Sequence, residues 1–180
     1  MSKEHVRKAI MDVFVEMMGE MSLDVLRVQD MVARAGVSKA TFYRQFMDKY
    51  DVANCYFIEQ TKQLVEENPD VKNWKDWSYV QLAHIKENKT VFKNIISYKG
   101  QNSLEESMRK YYKTNIMRSV CAKYGGNDLP EYLLFAIDAL THVNSFAVVS
   151  WINQDCQRSI DVQISYVERC IPSCLQPYFE

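Results

Sequence analysis

A chain of 180 residues, 47% hydrophobic and 25% charged, has the balance of a folded protein of one or two small domains and excludes disorder. Five glycines and four prolines are too few for turn-dense sandwiches, barrels or glycine-rich phosphate loops, so long helices are expected. A net charge of −1 singles out no nucleic-acid or acidic partner, and no run approaches the ~18 apolar residues of a membrane span.

Val6, Ala9, Ile10, Val13, Phe14, Met17 and Met18 repeat at helical spacing, which predicts a one-faced first helix with Gly19 as its stop. Val28, Met31, Val32 and Ala35 form the apolar face of a short second helix that ends at Gly36. A third helix starts at once, with Ser38 as its N-cap, Val37 stapled onto Phe42, and an end near Phe46 and Met47. Asp48 can cap a fourth helix running through Leu64, and Asn68-Pro69-Asp70 breaks the chain. Further helices are expected over Asp76–Glu87, Thr90–Ser97 and Ser103–Tyr124. After the Gly125–Asp128 turn comes the most apolar segment, opened by Pro130 and ending near Ile152. The last helix follows Ser159 and carries Ile160, Ile164, Val167 and Ile171 on one face. No strand-period segment or internal repeat stands out, so the fold class is all-α.

The chemistry concentrates between Arg27 and Lys49. Two short helices joined through Gly36-Val37-Ser38 make a helix-turn-helix, the unit that lays its second helix in the major groove. Gly36 suits the left-handed conformation that stops one helix and redirects the chain. Lys39, Thr41, Tyr43, Arg44 and Gln45 are left for the outer face. Lys and Arg neutralise phosphates or reach guanine, Gln pairs with adenine, and hydroxyls hold phosphate oxygens. Arg34, Lys39, Arg44 and Lys49 against Asp48 alone give this stretch a local +3 within a chain of −1.

The run Ala35-Gly36-Val37-Ser38-Lys39-Ala40-Thr41-Phe42-Tyr43-Arg44-Gln45-Phe46-Met47-Asp48-Lys49 resembles the N-terminal signature of the TetR/AcrR family of bacterial transcriptional regulators, and Ile10, Phe14, Asp30, Met31 and Ala33 fall at matching places. The resemblance implies an N-terminal helix-turn-helix domain over 1–50, followed by a helical regulatory and dimerisation domain over 51–180. Carried over by position, Lys39, Ala40, Thr41, Tyr43, Arg44 and Gln45 lie on the DNA-facing helix, and Lys49 meets a phosphate. Arg27 stands where the family usually has a capping Thr. It cannot cap in the same way, although its charge can still serve phosphate. The run Asn88–Ile95, then Gly100–Ser103 and Val149–Ile152, is similar to a subgroup that includes regulators of dihydroxyacetone-kinase operons, at least one of them controlled by a protein co-activator.

The resemblance further implies a cytoplasmic homodimer on a roughly palindromic operator, acting as a repressor released by an effector, which is either a small molecule or a partner protein. The last two helices are expected to pair across a two-fold axis and bury Ile160, Ile164, Val167 and Ile171. Asp138, Thr141, His142 and Ser145 form one polar stripe on the apolar helix. Asp138, His142 and Ser145, with Trp77, Phe92, Tyr111 and Phe135, are candidates to line a pocket, although satisfied core groups would read the same way. Cys55, Cys121, Cys156, Cys170 and Cys174 are odd in number and widely spread, as reduced thiols are in a cytoplasmic protein. No nucleotide loop, nucleophile with a partner or metal-ligand spacing stands out, so neither catalysis, a cofactor nor a membrane is expected.

Overall fold

The computed structural model describes residues 3–179. Among them lie helices α1 (Lys3–Glu20), α2 (Val28–Arg34), α3 (Lys39–Tyr43), α4 (Lys49–Glu67), α5 (Trp74–Glu87), α6 (Lys89–Ile96), α7 (Leu104–Tyr124), α8 (Glu131–Asn153) and α9 (Ile160–Arg169), with a closing 3-10 turn at Gln176–Tyr178. There is no strand among the described residues. The chain forms two compact units. One is the chain up to Glu67 together with Asn88–Leu104, and the other is Asn68–Glu87 together with the chain from Glu105 onward.

In the first unit, Ile10, Phe14 and Met18 turn the apolar stripe of α1 inward and are wholly buried with Met31, Phe42 and Ile95. Each such side chain contributes about 1.5–3 kcal/mol of burial free energy. Gly19 does not stop α1 as the sequence suggested. The helix passes through it to Glu20 without a positive φ there, and Met21 N–H still bonds Met17 O at 2.9 Å. The physical reason is a cap from elsewhere in the chain. Asn94 of α6 donates its side-chain amide to the Met18 carbonyl at 2.8 Å, so no left-handed glycine is needed to satisfy that end.

In the second unit, α7, α8 and the segment after α9 bury Val120, Ile137, Leu140 and Leu175 together, with Trp74 of α5 packed against them. Asn73, which the sequence reading passed over, opens α5 by accepting Asp76 N–H at 2.9 Å. The last helix starts after Ser159 as expected, and Ser159 caps it by accepting Val162 N–H at 3.4 Å. Length and composition alone would let α8 cross a bilayer. In this unit Leu133, Ile137, Leu140 and Ile152 are buried in the core, while Phe135 and Phe146 stand out on the other side.

Candidate nucleic-acid interface

The reader is built from α2, a turn and α3. Gly36 has φ +65°, the conformation in which only glycine escapes a Cβ penalty, and it lets Val37 N–H return to Val32 O at 3.0 Å. Ser38 is extended. Its Oγ accepts Thr41 N–H at 3.1 Å and lies 2.9 Å from Thr41 Oγ1, so cap and recognition residue are joined. The third helix ends at Tyr43, earlier than the expected Phe46 or Met47. Arg44 to Phe46 continue in a turn that keeps Phe46 N–H on Phe42 O at 3.0 Å. Asp48 then caps α4 as expected, accepting Asp51 N–H at 2.8 Å, while Asp51 accepts Met47 N–H at 2.9 Å.

Two aromatic anchors fix this reader. Phe42 and Phe46 are buried with ring centroids 5.8 Å apart. The Arg7 guanidinium sits 4.6 Å over the Phe46 ring, bonds Glu59 at 2.7 and 3.0 Å, and reaches Gln45 O at 3.4 Å. Burying Phe42 and Phe46 turns Lys39, Ala40, Tyr43 and Arg44 outward and leaves Thr41 and Gln45 half-buried. Tyr43 is 58% exposed, with its ring resting edge-on against Phe42. The side chains of Arg27, Lys39 and Arg44 have no ion-pair or hydrogen-bond partner among the described residues. Their charges are therefore available to a ligand.

The other two basic residues of the +3 stretch are engaged inside the unit, which corrects the sequence tally. Arg34 is bidentate on Glu20 at 3.0 and 3.2 Å, with Glu16 at 3.7 Å. The Lys49 ammonium donates to the carbonyls of Asp24 and Leu26, both at 2.9 Å, and desolvation pushes its pKa down despite nearby Asp24 and Asp48. Arg27 occupies the N-cap position of α2 without a side-chain cap bond, as its chemistry dictates. Lys49 thus holds the loop that presents Arg27. The sequence could not supply this pairing, because it joins residues about 25 positions apart.

The pocket candidates are not brought together. Phe92 belongs to the first unit, buried 6.0 Å from the Tyr56 ring. Phe135, Asp138 and His142 are exposed, Asp138 pairs with Lys113 at 2.6 Å, and buried Ser145 donates back to His142 O at 3.1 Å. Trp77 and Tyr111 also interact: burial pushes the Tyr111 phenol pKa up, and the Trp77 bond offsets part of that rise. The most enclosed hollow described in the second unit lies instead beside Trp74, Gln81, Tyr112, Asn144 and Gln163, and measures about 30 Å³.

Of the expected dimer face, Ile160 and Val167 are half-buried. Ile164 and Ile171 are buried within their own unit, because the face chosen by apolar spacing is the one that α9 turns to its own core. The large apolar side chains left outside are Val162 and Tyr166 on α9, and Tyr132, Leu134, Phe135 and Phe146 on α8.

An all-helical chain whose helix-turn-helix buries two phenylalanines and frees Lys39 and Arg44 defines a DNA-reading regulator. The chain belongs to the TetR family. Residues 10–54 match the bacterial regulatory proteins of the tetR family, and residues 72–172 match the family described as a transcriptional regulator C-terminal region. It is a DNA-binding transcriptional regulator of a non-enzymatic class. The fold is similar to that of the dihydroxyacetone kinase operon activator DhaS, with a TM-score of 0.65 and 14% identity over 97% of this chain and 98% of that one. A TetR-family transcriptional regulator from Syntrophomonas wolfei gives 0.63 and 16%, over 97% and 96% of the two chains. The fatty acid degradation regulator FadR from Bacillus halodurans gives 0.57 and 16%, over 95% and 96%. Among curated proteins no match is found.

Proposed function

We propose that the protein is a cytoplasmic, homodimeric repressor that reads a roughly palindromic operator through Lys39, Ala40, Thr41, Tyr43, Arg44 and Gln45, with Arg27 on phosphate. The reading rests on the exposed, partnerless Lys39 and Arg44 beside the buried Phe42 and Phe46 anchors. Residues 1–50 carry the reading function, and residues 51–180 the dimerising and sensing functions. Two readers related by a two-fold axis meet successive major-groove half-sites ~34–36 Å apart. Occupying a promoter in this way excludes polymerase, hence repression.

The dimer reading is supported by the outer faces of α8 and α9. Phe135 and Phe146 are eleven residues apart on one helix face and 76% and 70% exposed, with Val162 and Tyr166 exposed on α9. Large apolar side chains left in water in this number mark an interaction surface. Lys49 is assigned to positioning: it orders the loop before Arg27, and phosphate contact is left to the three partnerless cations.

A partner protein is favoured over a small molecule as the effector, on one observation. The most enclosed hollow described in the second unit, beside Trp74, Gln81 and Tyr112, holds about 30 Å³, and the larger ones, about 610 Å³ along Thr114–Asn127 and about 260 Å³ beside Lys75 and Glu168, lie more open to solvent. Pockets for small organic ligands run to ~300–1,000 Å³.

Selection of DNA from a random-site pool by the purified protein tests the central reading. Enrichment of an inverted repeat with two half-sites one turn apart is the expected result. Recovery of no sequence would remove the operator claim.

A further inference from the structure

The recurrent structural question in the first unit is what fixes the loop between α1 and α2, which ends at Arg27. One end is held by Lys49. The other is held by one residue of α6. The Asn94 side-chain amide donates to Met18 O at 2.8 Å, one of the carbonyls that α1 leaves unpaired at its end. The Asn94 carbonyl, in the last turn of α6, accepts Leu23 N–H at 3.0 Å. Two helix C-termini therefore satisfy each other through a single half-buried asparagine, 76 residues from its α1 partner. Tyr50, next to Lys49, stacks at 4.0 Å on Tyr98, just beyond α6, so the α6 segment also braces the start of α4.

Helix α6 packs in the first unit, yet the helices on either side of it in sequence, α5 and nearly all of α7, belong to the second. Only Asn88 separates α5 from α6. The contacts of α6 with Met18 and Leu23 lie wholly within the first unit.

We propose that Asn94 is a positioning residue for operator binding, the junction through which the α6 position sets the loop that presents Arg27. The proposal rests on the DNA-reading assignment above and adds to it a residue outside the helix-turn-helix that holds the reader in shape. Asn94 touches no DNA; it acts through the α1 end and the 21–27 loop.

The test is quantitative operator binding by full-length Asn94→Leu and Asn94→Asp, with a non-specific duplex measured in parallel. Asn94→Leu keeps the side-chain bulk and removes the donor. Asn94→Asp presents an oxygen to the Met18 carbonyl, between two helix ends that both carry partial negative charge, so its carboxyl pKa rises and protonation restores a donor. Operator affinity is expected to fall at least about tenfold in both at pH ~8, within the ~5–150-fold span of site coupling. Non-specific affinity, which needs only exposed charge, stays within about twofold. For Asn94→Asp, the operator affinity relative to wild type at the same pH recovers as pH falls towards ~5.5, because the acid regains its proton below its raised pKa. Wild-type operator affinity in either variant overturns the proposal. So does a loss matched by the unfolded fraction in circular dichroism, or an Asn94→Asp deficit that is flat with pH. If Asn94→Leu fails to fold, the pH response of Asn94→Asp decides. A wild-type protein that selects no operator instead removes the DNA reading, a failure distinct from wild-type-like variants on a real operator.

Discussion

The Lys49 ammonium lies 2.9 Å from the carbonyl oxygen of Leu26, the residue immediately before Arg27, with the Asp24 carbonyl at the same distance. A lysine at the start of α4 is therefore spent on the shape of the reader, and its usefulness to DNA passes through Arg27.

This relationship predicts a non-additive pair. Lys49→Met removes hydrogen bonds from a charged donor, each worth about 1.5–3 kcal/mol, and loosens the loop before α2. Operator affinity falls in Lys49→Met and in Arg27→Ala, and the double variant is no weaker than the weaker single. A double-mutant cycle read by fluorescence anisotropy checks this, with coupling of about 0.5–3 kcal/mol expected for residues that act together. Additive losses, with the salt slope shallower by about 0.9 for Lys49 alone, would instead assign Lys49 its own phosphate.

Two arginines in the reader should behave oppositely. Arg44 is exposed and without an internal partner, so Arg44→Ala is expected to cost about 1–3 kcal/mol and to relax base preference at one operator position if its contact is bidentate to guanine. Arg34 is held by Glu20 and Glu16 on the protein surface. Arg34→Ala is expected to lower stability by at most ~1 kcal/mol and to leave operator binding unchanged. Competition binding across single-base operator variants separates the two.

Much of this was legible in the sequence, and the limits are instructive. The α2–turn–α3 unit was readable because its determinants are local: Gly36 at the bend, Ser38 at the cap, and Phe42 and Phe46 on the inner face. The engagement of Arg34 and Lys49 was not, because their partners lie in other elements and charge counting treats every cation as free. Ile160, Ile164 and Val167 lie on α9 and Ile171 just beyond its end, but spacing does not say whether such a face meets its own core or a second copy. Ile164 and Ile171 proved to be buried at home, while the outward Val162 and Tyr166 carried no periodic signal. Helical spacing leaves the stripe of Asp138, Thr141, His142 and Ser145 open between a pocket, a dimer seam and core groups, because it does not say which members face solvent: Asp138 and His142 are exposed, Thr141 and Ser145 buried.

The exposed apolar faces of α8 and α9 make a separable prediction. Phe146→Asp and Phe135→Asp place charge on exposed positions, so each folds, while self-association weakens if these faces meet. Sedimentation at micromolar concentration should move from dimer towards monomer, and operator binding should drop steeply because two half-sites are no longer joined. Ile164→Ala is the contrasting control. It removes buried volume from the second unit and is expected to cost about 2–5 kcal/mol of stability, read as a lower thermal midpoint. A Phe146→Asp protein that remains dimeric would move the interface elsewhere.

Ser38 offers the cleanest separation of folding from DNA contact. Its Oγ accepts Thr41 N–H at the start of a helix of only five residues, so the cap is a large share of what holds α3 in place. Ser38→Ala is expected to lose about 0.5–2 kcal/mol of stability and some operator affinity with it. Ser38→Asp supplies an equally good cap acceptor and should restore the thermal midpoint. It also sets a carboxylate beside Thr41 and one residue from Lys39, on the face proposed to meet phosphates. Operator affinity should then fall below that of Ser38→Ala even though the protein is the more stable of the two. Were Ser38→Asp to bind as tightly as wild type, this end of α3 would not approach the DNA backbone, and the docking of the reader would have to be turned so that Tyr43 and Arg44 lead.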